Sequence, residues 1–311
     1  MREIVHPGAR RPEASIVATR LSAHALALVP GTSLIDALSV AVTESCGHFA
    51  SGVLQWHGGQ AKPWPYVLPA LSRTPEHAVY FSERHEAPGA VELVEATVTF
   101  GRRGAGEGSR PWLHSHVDWI EADGRRGCGH VLPEQARLSV APLRATFWAM
   151  HDAAFTVQAD EETRFSLFKP VPYAPAAPDT PDTPAAPLWI GACGDMAAAS
   201  RPALAVRLAP NMDVCETLEA ICAERGIRQA VVRGGVGSTV GAVFDDGRVV
   251  QPFVTETLIR HGVIETGATL APRAAIDVTM IDFHGGRHQG RLARGENPVL
   301  VTFELVLEIL G

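Results

Sequence analysis

Apolar and polar positions along this chain fall into two series that recur in the same order. Residues 25–29 (ALALV) form an apolar run that stops at Pro30, and residues 204–208 (LAVRL) form another that stops at Pro210, so each series opens with a strand. A helix follows in each. Ser33 and Asp36 stand at capping-box spacing ahead of Leu38 and Val42, with Leu34 and Ile35 between them, which marks both the helix start and its buried stripe. In the second series Asp213 is placed to cap a helix over 214–225, and Gly226 supplies a left-handed stop. A glycine-bounded strand comes next: residues 49–56 lead to Gly58-Gly59, and residues 229–233 lead to Gly234-Gly235-Val236-Gly237.

The last unit is the most informative. HSHVDWIEADGRRGCGHVL from His114 aligns without a gap to AIDVTMIDFHGGRHQGRLA from Ala275. Both read as a β-hairpin, followed by a long apolar strand over 143–150 in one series and 299–310 in the other. The first series is longer by about 19 residues, placed in 74–89 and in the glycine-rich stretch 101–108. Between the series, residues 170–187 read PVPYAPAAPDTPDTPAAP, which cannot bury a core and favours extended polyproline conformation. The expectation is therefore two tandem α+β domains, 1–169 and 188–311, joined by a proline-rich linker at 170–187.

Composition supports two cores and narrows the partners. With 311 residues, 46% of them hydrophobic, the chain is somewhat long for one domain. A net charge of −7 and a pI near 6.0 argue against general attraction to nucleic acid or anionic lipid. Residues 1–14 carry Arg2, Arg10 and Arg11 without the apolar core of a secretory signal, and no window approaches a membrane span, so a cytoplasmic protein is expected. Cys46, Cys128, Cys193, Cys215 and Cys222 are odd in number and never spaced C-x-x-C, which signals neither a disulfide framework nor a thiolate metal site.

Candidate chemistry lies in the first hairpin. A strand puts residues i and i+2 on one face, so His114 and His116 point together. With a three-residue loop Ala122-Asp123-Gly124, Glu121 pairs with Arg125 and His116 lies opposite His130. A two-residue Asp-Gly loop would instead send His130 to the other face. In the first register three imidazoles converge, zinc–nitrogen bonds of about 2.0–2.1 Å are attainable, and a fourth tetrahedral position is left open. The same spacing also fits three unconnected strand histidines. The second series has Ala275, Asp277 and Arg291 at the matching positions, as loss of one shared job would leave them.

Glu92, before an apolar strand, and Glu121 are the carboxylates that could move protons beside such a site; a solvated edge charge is the plain reading of Glu92. His57 could line the same pocket, or be an ordinary loop histidine. His284 and His288 read as a solvated hairpin tip. Neither residues 104–108 nor 234–238 run into a helix with a lysine, so no phosphate cradle is indicated, and no G-x-S-x-G elbow is present.

At this point the chain resembles the plants and prokaryotes conserved (PPC) domain. The likeness rests on PGTSL at Pro30, ELVEATVTFG at Glu92 and LHSHVDWIEADGRRGCGHVL at Leu113 in the first series. In the second it rests on APNMDVCETL at Ala209, VRGGVGS at Val232 and VTFELVLEI at Val301. The resemblance implies an α+β domain with a curved antiparallel sheet packed with a helix, a homo-oligomer of trimeric habit, and zinc held by His114, His116 and His130. The DNA-binding activity attached to the family's name belongs to an R-G-R-P hook that is absent here; Ser109-Arg110-Pro111 is the nearest fragment. The expected function is thus zinc-dependent binding of, or hydrolase- or lyase-type action on, a small molecule. A non-catalytic oligomeric scaffold is the alternative, and a DNA-binding regulator a weaker third.

Overall fold

A computed structural model of the protein describes residues 2–104, 106–139, 143–173, 200–267 and 271–311. Most of the expected linker, with Cys193, lies outside the described residues. Strands dominate the architecture, and only two α-helices accompany them among the described residues. The expectation of two balanced α+β domains is therefore corrected: the fold is a mostly antiparallel β structure.

Particular residues explain the difference. The glycines at 234–237 do not end a strand; they sit inside Gln229–Val243 as an irregularity in the ladder, with Gly234 at φ 68° and Gly235 at φ 132°. Its neighbour Val249–Thr266 likewise runs 18 residues through a bulge near Arg260. The opening strand is Ser15–Leu28, not only 25–29. Pro170 and Pro172 complete a strand, Ser166–Pro172, which pairs along one side with Ala153–Ala159, the setting in which a strand tolerates proline.

The two halves share one pairing scheme. In the first, Ser15–Leu28 pairs Leu143–Met150, which pairs Ser51–His57, then Val91–Arg103, Arg110–Ile120 and Arg126–Val131, all antiparallel. In the second, Arg201–Leu208 pairs Val299–Ile309, then Gln229–Val243, Val249–Thr266, Pro272–Asp282 and Arg287–Arg291, in the same order and sense. Ser15–Leu28 belongs to both sets. Its first part pairs Arg201–Leu208 and its last part Leu143–Met150, which makes one continuous sheet of the two halves.

Each half carries one helix on its sheet. Helix α1 (Leu34–Cys46) is capped by Ser33, whose hydroxyl accepts from the Asp36 N–H, and ends at left-handed Gly47; it buries Leu34, Leu38 and Val42. Helix α2 (Val214–Glu224) is capped by Asp213, accepting from the Glu216 N–H at 2.9 Å, and buries Val214, Leu218 and Ile221.

Apolar contact and buried ion pairs also join the halves. Leu21, Val53, Met150 and Phe155 pack with Ala203, Ala205 and Val306, while Cys128 packs with Leu258 and Ile281. Asp118, 1% exposed, accepts from Arg126 of its own half and from Nε and Nη2 of Arg287 of the other; Arg260 donates to Glu95 at 2.8 Å. Gly234 lies against Val53, and a Cβ there would stand 2.5 Å from the Val53 Cβ in a backbone conformation that side chains rarely adopt. Gly234→Ala is expected to lower unfolding free energy by about 1–3 kcal/mol in urea denaturation, through overpacking and backbone strain; a change within about 0.5 kcal/mol would show that the halves do not meet this closely.

Candidate metal centre

The first hairpin adopts the three-residue loop. The Glu121 N–H donates to the Arg125 carbonyl at 2.8 Å, the Gly124 N–H to the Glu121 carbonyl at 2.9 Å, and Gly124 takes φ 85°. His116 therefore lies directly opposite His130 in the ladder, and His114, two residues back, shares the face. The ring centroids stand 4.7 Å apart for His114 and His116, 5.1 Å for His114 and His130, and 5.6 Å for His116 and His130.

The second half completes the cluster. Donor atoms of His114, His116, His130 and Glu256 all lie within 4.8 Å of one another, an arrangement that can hold a metal ion. The Glu256 carboxylate touches His116 Nε2. Two further groups of the second half sit behind the histidines: Glu304 meets His114 Nδ1 at 2.7 Å, and the Thr257 carbonyl meets His116 Nδ1 at 2.8 Å.

These two partners decide where the protons are. A carbonyl oxygen only accepts, so His116 Nδ1 carries the hydrogen, and in the neutral ring Nε2 is a bare lone pair. The Glu304 carboxylate imposes the same tautomer on neutral His114. The two Nε2 atoms nevertheless face each other at 3.1 Å, with a carboxylate beside them. Lone pairs and a carboxylate aimed at one point repel unless a cation or a proton lies between them. The unpartnered buried atoms agree, since neither His130 Nδ1 nor Glu256 Oε2 has a hydrogen-bond partner within the protein.

The electrostatics divide the histidines. Burial, then the neighbouring His114 and His116, hold the His130 imidazole far below the ordinary range, so it is a neutral donor. Burial also pulls His114 down, but the Glu304 and Glu256 carboxylates outweigh it and raise the ring overall.

A cavity of about 200 Å³ opens onto this cluster. His114, His130, Glu256 and Glu304 form its floor, and its walls come from both halves.

The other expected residues lie elsewhere. Glu92 is exposed opposite Ile120, and Glu121 is buried against Arg125; at about 3.4 Å per residue they stand some 14 and 17 Å along the strand from His116. His57 is exposed at its strand end, two strands from the hairpin. His288 bonds Asp282 at 2.7 Å near the second hairpin's turn, and Asp277 faces Arg291 in an ion pair of 2.9 Å. Beside the three histidines, where an open fourth position was expected, lies the carboxylate of Glu256. Glu256 had a signal in the sequence: opposite Ile281, it holds the ladder place that Glu92, opposite Ile120, holds in the first half. Glu304 and the Thr257 carbonyl had none, since their part depends on how the halves stack.

Fold and site together define a β protein with a histidine–carboxylate centre assembled from two like-paired halves. No family model and no curated protein matches the sequence. Among solved structures it is similar to a plant- and prokaryote-conserved (PPC) protein of Pyrococcus horikoshii, at 17% identity over 35% of this chain and 79% of that one, with a TM-score of 0.28. It is also similar to the metal-containing protein AF0104 of Archaeoglobus fulgidus, at 15% identity over 54% and 99% of the two chains, TM-score 0.34. A third, named as a candidate DNA-binding protein of Ralstonia eutropha JMP134, is 14% identical over 46% and 88%, TM-score 0.34.

Removing the partner of His114 tests the proton assignment. Glu304→Leu, which removes the acceptor, is expected to weaken affinity for a divalent ion by about 10–100-fold with the fold intact, as loss of an outer partner of a ligating histidine does. Competition with a chromophoric chelator measures it, and unchanged affinity would mean that Glu304 does not set the tautomer.

Proposed function

We propose that this protein consists of two tandem PPC-like units and binds zinc through His114, His116, His130 and Glu256, holding a small molecule in the adjoining cavity. The observation that carries the reading is the convergence of two tautomer-fixed Nε2 lone pairs, a neutral third imidazole and a carboxylate on one point. Nitrogen-rich donor sets of this kind suit zinc, which has no d-electron preference to oppose the geometry.

The second unit has lost its own histidines but not its role. It supplies Glu256 to the donor set, the Glu304 carboxylate to His114 and the Thr257 carbonyl to His116. Behind Glu304, Arg207 donates to the Thr302 hydroxyl at 3.2 Å and that hydroxyl to Glu304 at 3.3 Å, so the carboxylate is itself held in place. Four protein donors make a closed set, the kind that retains an ion, and favour binding over turnover. When bound, a divalent ion there would polarise a carbonyl or hydroxyl oxygen of a molecule in the cavity only by taking it as a fifth donor. The apolar walls would keep water from competing for that place.

Elemental analysis tests the proposal directly. Protein purified without chelator is expected to carry one zinc per chain, the His114→Ala/His116→Ala variant none, and Glu256→Gln a reduced amount. Metal-free parent protein, or full occupancy in the double variant, would overturn the site; stoichiometric iron or manganese would overturn zinc alone.

A further inference from the structure

Most of the aromatic rings that line the cavity above the histidines come from residues outside the shared pairing scheme. Tyr80 and Phe81 come from the short hairpin Pro69–Leu71 and Val79–Phe81, and Phe165 and Phe168 from the hairpin that follows Leu143–Met150. Neither hairpin has a counterpart among the described residues of the second half. Phe81 packs at a tilt against His130 with centroids 5.1 Å apart, and Phe165 stacks on Tyr80 at 5.8 Å, so the wall is an ordered aromatic cage that begins at the histidines. A dry apolar cavity of about 150 Å³ accepts benzene. At about 200 Å³ this one accommodates a single aromatic ring with small substituents.

Charge is distributed unevenly along the cavity. The floor already holds two carboxylates, Glu256 and Glu304, which a divalent ion would do little more than neutralise. The rim carries cations. Arg103 lines the cavity with its guanidinium 4.7 Å from the centre of the Trp112 ring, and Arg110 lies over the same ring at 5.5 Å. Among the residues whose side chains are described, neither has an acidic partner. Trp112 is two residues from His114 on the same strand, about 7 Å away, which is the span of one para-substituted benzene ring.

We propose that the cavity takes a monocyclic aromatic acid whose ring lies in the cage, whose carboxylate meets Arg103 and Arg110 at the rim, and whose opposite polar substituent reaches the histidine floor. The floor contact rests on the metal reading above; the ring and rim contacts do not. Planar guanidinium groups held against an indole present their N–H edges to a carboxylate in the paired geometry that arginine favours. A carboxylate directed to the floor would instead meet two others.

Calorimetric titration of the full chain with 4-hydroxybenzoate tests this, with the metal content of the same sample measured alongside. The acid is expected to bind one per chain, and 4-hydroxybenzyl alcohol at least about tenfold more weakly. Arg103→Ala/Arg110→Ala should bring the acid down to the level of the alcohol. Val157→Trp, which fills the cavity from a half-buried wall position, should abolish binding with the metal content and melting temperature retained. Equal binding of acid and alcohol would overturn the rim assignment, and binding that survives Val157→Trp, or no binding to metal-loaded protein, would overturn the cavity assignment. Acid binding that is sensitive to Val157→Trp in a metal-free parent would uphold ring and rim while the metal reading failed.

Discussion

Two hydrogen bonds across the middle of the molecule, from His114 to Glu304 and from His116 to the Thr257 carbonyl, set everything that the centre can do. Without them each imidazole would be free to present either nitrogen, and the cluster would be three histidines close together. With them, protonated faces turn outward to the second half and lone pairs turn inward to a common point. The constraint also dictates the packing, because both acceptors must be held to within hydrogen-bond tolerance by a sheet that belongs to the other half. The apolar contacts around Val53 and Val306 and the Asp118–Arg287 pair provide that rigidity.

Burial makes the arrangement decisive. A carboxylate near water is screened and tolerates a loose neighbour, but Glu256 Oε2 is shut off from solvent, so its charge must be answered locally. The same seclusion keeps His130 neutral and available as a donor. The hairpins that roof the cavity extend this apolar shell over the floor.

Much of this was legible in the sequence, and the limits are physical. The caps at Ser33 and Asp213, the order of strand and helix, and the hairpin that sets His116 against His130 are local, and turn chemistry with strand period specifies them. Strand length was not legible: Gly234-Gly235 reads as a stop, yet a bulge carries the ladder through it to Val243. The balance of the fold shifted accordingly, toward sheet. Glu92 was the acid that proximity in sequence suggested, but its ladder equivalent Glu256 is the one that stacking brings to the histidines. Contacts between the halves join residues 141 and 190 positions apart, and no local period encodes them.

The histidine-bearing hairpin and its acidic complement lie on one polypeptide, linked by a strand, Ser15–Leu28, that both halves use. In an assembly of separate subunits such a centre would come apart on dilution, since its two parts would have to find each other at the prevailing concentration. Here their encounter is intramolecular, at an effective concentration fixed by the chain itself. Assembly of the cluster is thereby uncoupled from how much of the protein is present. The second half, without a histidine cluster of its own, presents Glu256, Glu304 and the Thr257 carbonyl to the first.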